Sequence, residues 1–171
     1  MRRNSPGGGG PLRRRIIGID PGLASTGWGV LDCDGGRLRH VAHGSIETKA
    51  GRPIAERFLH IMESLREILD GHGPTESAAE TLFFGKNVSS AIPVAGARGV
   101  AFAVLAERGL PVAEFRPNAV KQGVAGVSVA DKRQVQEMVR VILGLAEVPR
   151  PDHAADALAV AICAANMPAD L

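Results

Sequence analysis

Residues 152–166, DHAADALAVAICAAN, constrain the fold of this 171-residue chain more than any other stretch. Between Ala154 and Ala165 the one charged residue is Asp156. A helix that is apolar around its whole circumference reads as buried, so the rest of the chain has to cover it. Acids in a first helical turn are favoured by the helix dipole and the free N–H groups, which accounts for Asp152. Asp156 lies a turn further in, flanked by Ala154, Ala155, Ala157 and Leu158. An ionised carboxylate on an apolar face needs a partner. His153 is three residues earlier and Asp152 four, so the three side chains share one face. That is the geometry of a metal or acid–base site, provided that other ligands converge on it.

The preceding residues supply the cover. The apolar run RRIIGID stops at Asp20, and PGLASTG follows with the composition of a turn. WGVLDC and RLRHVAHGSIET read as two further strands joined by a DGG hairpin turn. The period then changes: Ile54, Phe58, Ile61, Leu65 and Ile68 recur at helical spacing, with Pro53 at the start and Gly71 as a stop. ESAAE is a short strand ending at Glu80, TLFFGKN a loop, residues 88–108 a small-residue helix and LPVAEFR a fifth strand. A short helix from Asn118 is followed by one over KRQVQEMVRVILGL, capped by Asp131 with Gln134 in a capping box. Three strands, then strands alternating with helices, predict an α/β domain with a mixed sheet.

A hydrophobic content of 45% with 22% charged residues fits one soluble domain. No stretch of about 18 apolar residues is free of charges or breakers, so no membrane span is expected. The N-terminus lacks the apolar run of a signal peptide, and Cys33 and Cys163 form no C-x-x-C pattern. Both features predict a cytoplasmic protein with reduced thiols. Five of the 20 basic residues are arginines within residues 1–15, which hold no acid, so the remainder carries 15 basic against 18 acidic groups. Residues 1–14 are therefore expected to be a disordered, basic, Gly-rich tail, and residues 15–168 the folded domain. Such a tail is either a solvated extension or an arm that touches phosphate.

Asp20 and Glu80 end strands, and Asp156 begins the apolar helix. In open α/β sheets, sites form at the carboxyl ends of strands. Carboxylates gathered there repel one another, and cations with a preference for oxygen, Mg²⁺ or Mn²⁺, relieve that repulsion. Two such ions activate a water and stabilise the leaving oxygen in phosphodiester cleavage. Each residue also has a local account: Asp20 as a turn residue before Pro21, Glu80 as a solvent-facing strand end, His153 as a structural histidine. The adjacent Phe83 and Phe84 cannot point the same way in a regular element, so one packs and the other is free to stack on an unpaired base.

Taken together, IIGIDPGLASTGWGV, AAETLFFGKN, DKRQVQEMV and DHAADALAVAI, in this order and spacing, resemble the RuvC family of Holliday-junction resolvases. The resemblance runs from about Arg15 to Asn166. It implies a ribonuclease-H-like fold, with a central mixed five-stranded sheet flanked by helices. It also implies cleavage of four-way DNA junctions by a homodimer, with two Mg²⁺ or Mn²⁺ ions per active site and a branch-migration helicase as partner. The family's catalytic, metal-holding positions fall on Asp20, Glu80, His153 and Asp156; many members have Asp where His153 stands. The stacking role falls on Phe83, with Phe84 and Lys86 in the same loop. Members of the family commonly carry a Gly-rich stretch with a basic residue just before the ADK motif; here it reads GVSVADK, with no basic residue between Gly126 and Asp131. Lys121, Lys132 and Arg133 are the remaining candidate phosphate contacts. The helix around Ala91, Val94, Ala95, Arg98 and Phe102 is the expected dimer interface.

Two other classes fit parts of the pattern. GIDPGLASTG carries the Asp, Gly and Thr of an actin-like phosphate-binding hairpin, but 171 residues supply one lobe only. A non-catalytic junction-binding module would need no cluster of acids, which repel phosphate unless metals intervene.

Overall fold

A computed structural model describes residues 14–81 and 88–166. Five strands, β1 (Arg14–Asp20), β2 (Ser25–Asp34), β3 (Arg37–Glu47), β4 (Glu76–Glu80) and β5 (Val112–Phe115), form one sheet in the order β3-β2-β1-β4-β5. β1, β2 and β3 pair antiparallel, whereas β4 runs parallel to both β1 and β5. The helices are α1 (Ile54–His72), α2 (Val88–Glu107), α3 (Pro117–Ala125), α4 (Lys132–Leu143) and α5 (Asp152–Ala165). The mixed, helix-flanked five-stranded sheet is the one the sequence predicts.

Alternation along the strands divides the core in two. Ile16, Leu31, Ala78 and Phe115 point to the layer of α3, α4 and α5. Ile17, Ile19 and Val30 point the other way, to α1 and α2. From Ala154 to Ala165 every residue except Asp156 is buried, so α5 is enclosed as its composition requires. Among the described residues no helix is long and apolar enough to cross a membrane.

Local signals are met with small shifts. The hairpin places Gly35 and Gly36 at φ of 55° and 85°, the pair of positive values that a type I′ turn needs. At α4, Asp131 accepts from the Gln134 N–H and Gln134 accepts from the Asp131 N–H, both at 2.8 Å. α1 runs through Gly71 and stops at Gly73, whose left-handed φ of 56° lets its N–H reach Leu69 O. β2 begins at Ser25, earlier than its apolar residues suggest. There the buried Thr26 donates to Gly22 O at 2.8 Å, closing the β1–β2 turn. Arg14, within the segment expected to be a tail, opens β1: it pairs with Glu76 at 2.6 Å and donates to the last carbonyls of α5.

Candidate active site

Strand register brings the first two acids together. Gly18 and Ala78 are partners in the parallel β1–β4 ladder. Residues two apart share a face, so Asp20 and Glu80 emerge side by side at the carboxyl ends of their strands, beneath α5.

Glycine brings the helix down onto them. A Cβ at Gly18 would stand 1.9 Å from Ala157 O, one at Gly27 2.0 Å from His153 O, and one at Gly29 2.6 Å from the Leu158 side chain. Gly18 pairs with Gly29, and Gly27 with Asp20, in the β1–β2 ladder. The backbone of α5 therefore rests directly on β1 and β2, and its first turns overhang Asp20. This bed was legible only as glycines recurring in strand positions, a pattern with no chemistry of its own.

The resulting cluster is compact. His153 Nδ1 lies 2.7 Å from Asp20 Oδ2. Ligand atoms of Asp20, His153 and Asp156 all fall within 4.8 Å of one another. Glu80 stands outside that trio but close enough to feel the charges of Asp20 and Asp156. Burial, then those two charges, push its carboxyl above the usual range, with Lys121 opposing. Asp156 is also pushed up, by burial first, even though Lys132 Nζ donates to its Oδ2 at 2.8 Å. Desolvation thus outweighs the ammonium at Asp156. In turn Asp156 raises the Lys132 pKa.

Of the expected DNA contacts, Lys121 and Lys132 line a cleft of about 210 Å³ together with Glu80 and Asp156. Arg133 borders a separate apolar groove with Val127 and Met138. Asp152, although on the same face of α5 by spacing, is not in the ligand group; its carboxylate lies 3.8 Å from Lys132 and 3.7 Å from Arg150. Phe83, Phe84 and Lys86 lie outside the described residues. Arg98, expected at a dimer interface, is turned inward with its guanidinium over the Phe102 ring.

The donor set fits a hard or borderline divalent cation. Two carboxylates and an imidazole converge. The carboxyls of Glu80 and Asp156 are raised first by burial and then, more weakly, by the charge of neighbouring acids, and a bound cation would offset both costs.

A mixed sheet in this strand order, a helix bedded on its first two strands, and acids at the ends of β1 and β4 define a ribonuclease-H-like nuclease. The chain belongs to the RuvC family: the model for "Crossover junction endodeoxyribonuclease RuvC" matches residues 16–164. The RuvC of Chloroflexus aggregans is 58% identical over 149 residues, covering 87% of this chain and 91% of that protein. The Thermus thermophilus RuvC structure superposes with a TM-score of 0.80 at 38% identity, covering 87% of this chain and 92% of that one. The T. thermophilus RuvC in complex with Holliday junction substrate gives a TM-score of 0.79 at 36% identity, covering 87% and 91%. The chain is thus a hydrolytic endodeoxyribonuclease of the crossover-junction class. The actin-like and non-catalytic readings fall with that membership.

Proposed function

We propose that this chain resolves four-way DNA junctions at the site formed by Asp20, Glu80, His153 and Asp156, with divalent ions held there. The observation that carries the assignment is the convergence of Asp20, His153 and Asp156 ligand atoms within 4.8 Å. The junction substrate is supported by the T. thermophilus relative solved with one.

Two bound Mg²⁺ or Mn²⁺ ions would offset the carboxylate charge, acidify a water and stabilise the leaving oxygen. Asp20, Glu80 and Asp156 would supply the carboxylates that hold these ions. When His153 Nδ1 carries the proton, it donates to Asp20 and leaves Nε2 free as a ligand or a base for the attacking water. Lys121 and Lys132 meet the phosphate from the cleft wall. The water oxygen bonds to phosphorus, the P–O3′ bond breaks, and a proton passes to the 3′ oxygen, leaving 5′-phosphate and 3′-hydroxyl ends.

Two strands have to be cut in one junction, so a two-fold dimer is the assembly that fits the task. The outward stripe of α2 that supports it is Ile92, Gly99 and Ala103. Cys33 and Cys163, free and buried, fit a reducing cytoplasm.

Asp20→Asn, Glu80→Gln and Asp156→Asn are each expected to abolish cleavage of a synthetic four-way junction in Mn²⁺, read on a denaturing gel. Junction binding should survive, since each change lowers repulsion toward DNA. A variant that keeps near-normal cleavage removes its residue from the site.

A further inference from the structure

At the end of β4 a main-chain acceptor has lost its expected donor. Thr81 N–H donates to Phe115 O at 2.7 Å, so the peptide groups of Ala79 and Thr81 face β5. By alternation, the Glu80 carbonyl faces β1. The β1–β4 register ends at Ile19↔Ala79. One step further, the parallel ladder would take its donor for Glu80 O from residue 21, which is a proline and has no N–H.

Arg98 supplies the bond instead. It reaches from α2, on the opposite side of the sheet from α5, and its Nη1 donates to Glu80 O at 2.6 Å. Its Nη2 donates to the Glu114 carboxylate on β5, and its guanidinium carbon lies 4.2 Å from the centroid of the Phe102 ring. The side chain is only 11% exposed. A planar fork with fixed donors, held against a ring and paired with a carboxylate, has little freedom to move.

We infer that Arg98 is a positioning residue for Glu80. Its bond fixes the orientation of the Glu80 peptide, and the peptide orientation sets the direction in which the Glu80 side chain leaves the strand. Arg98 touches neither substrate nor reacting atoms; it acts through the carbonyl. The inference rests on the reading of Glu80 as a metal ligand.

The test pairs Mn²⁺ binding by calorimetry with steady-state cleavage, in the full chain. Outer partners of metal ligands typically govern 10–100-fold in affinity or activity, and Arg98→Gln is expected to lose about that much in both Mn²⁺ affinity and kcat. Junction affinity without metal should be unchanged. Glu114→Gln removes the ion pair but leaves the Glu80 bond, so its Mn²⁺ affinity should stay at the wild-type level. Should Arg98→Gln fail to fold, Arg98→Lys carries the test. It keeps the charge, but one ammonium cannot replace the fork, and a smaller loss of the same kind is expected. Wild-type Mn²⁺ affinity and kcat in folded Arg98 variants, alongside a disabled Glu80→Gln, overturn the role of Arg98 alone. A Glu80→Gln variant with wild-type Mn²⁺ affinity and cleavage overturns the ligand assignment, and the role of Arg98 with it.

Discussion

Glu80 is held where its neutral form is favoured, first by burial and then by Asp20 and Asp156. Its folded pKa lies above its unfolded value. The stability this contributes is therefore complete below the unfolded pKa and is lost as pH rises through the folded one. In EDTA at pH 7, Glu80→Gln is expected to melt above the wild type, because the amide fills the same space without a desolvated charge. The gap should close as the pH falls below the ordinary carboxylate range. For a chain of this size each kcal/mol relieved is worth about 2–4 °C in Tm. Saturating Mn²⁺ is expected to bind the folded wild type and so to reverse the order. Thermal melts with and without metal check both halves; a Glu80→Gln variant that melts below the wild type in EDTA contradicts the sign. His153 makes a second residue-scale expectation. Its imidazole is a donor that Mn²⁺ accepts more readily than Mg²⁺ does. His153→Asp should lower the ratio of cleavage rate in Mn²⁺ to that in Mg²⁺, and an unchanged ratio would make His153 an orienting partner of Asp20 rather than a ligand. Asp156 was legible in sequence because a charge inside an apolar helix has no cheap explanation. Arg98 was not, because its partner is a carbonyl, and no side-chain pattern records which carbonyls lack donors.

Elements were legible to the extent that their period showed. The switch from period 2 to period 3.6 at residues 53–54 and the capping box at Asp131 mark real boundaries. The start of β2 was hidden because Ser25–Gly27 looks like turn chemistry, yet Gly27 pairs with Asp20 in the ladder. How closely α5 approaches the sheet was hidden as well, since it depends on what glycines lack. Two substitutions separate these roles. Gly18→Ala would drive a methyl into Ala157 O, a backbone atom of an enclosed helix that cannot step aside. Overpacking of this kind costs about 1–3 kcal/mol, and the same displacement should lift His153 and Asp156 away from Asp20. Both stability by urea titration and cleavage rate are expected to fall. Gly71 sits within α1 with nothing within 4 Å of an added Cβ. Gly71→Ala should gain up to about 1 kcal/mol from helix propensity and leave cleavage alone. If Gly18→Ala cleaves as well as Gly71→Ala, close seating of α5 is not what builds the site.

At the scale of the whole molecule, the described residues of one chain carry one cluster of site acids, whereas a junction has two strands to cut. A single copy would have to dissociate, turn and rebind to make its second cut, and the nicked junction would relax in between. A two-fold pair presents both sites at once. The outward stripe of α2 suits such a pairing: Ile92 is 65% exposed, and a side chain at Gly99 would meet nothing of its own chain. Small residues there permit close helix approach, and an apolar side chain gains by leaving water. Gly99→Arg puts a long charged group into that contact without disturbing the fold of the single chain, and Ile92→Asp removes its large apolar side chain. The wild type is expected to sediment as a dimer, and both variants as monomers at the same concentration. Each should still nick a junction, because Asp20, Glu80, His153 and Asp156 all belong to one chain. The distinguishing readout is the product: singly nicked junctions should accumulate where the wild type yields two separate duplexes. Variants that remain dimeric move the interface elsewhere. Monomers that still release paired duplexes at the wild-type rate show that pairing through α2 is not what coordinates the two cuts.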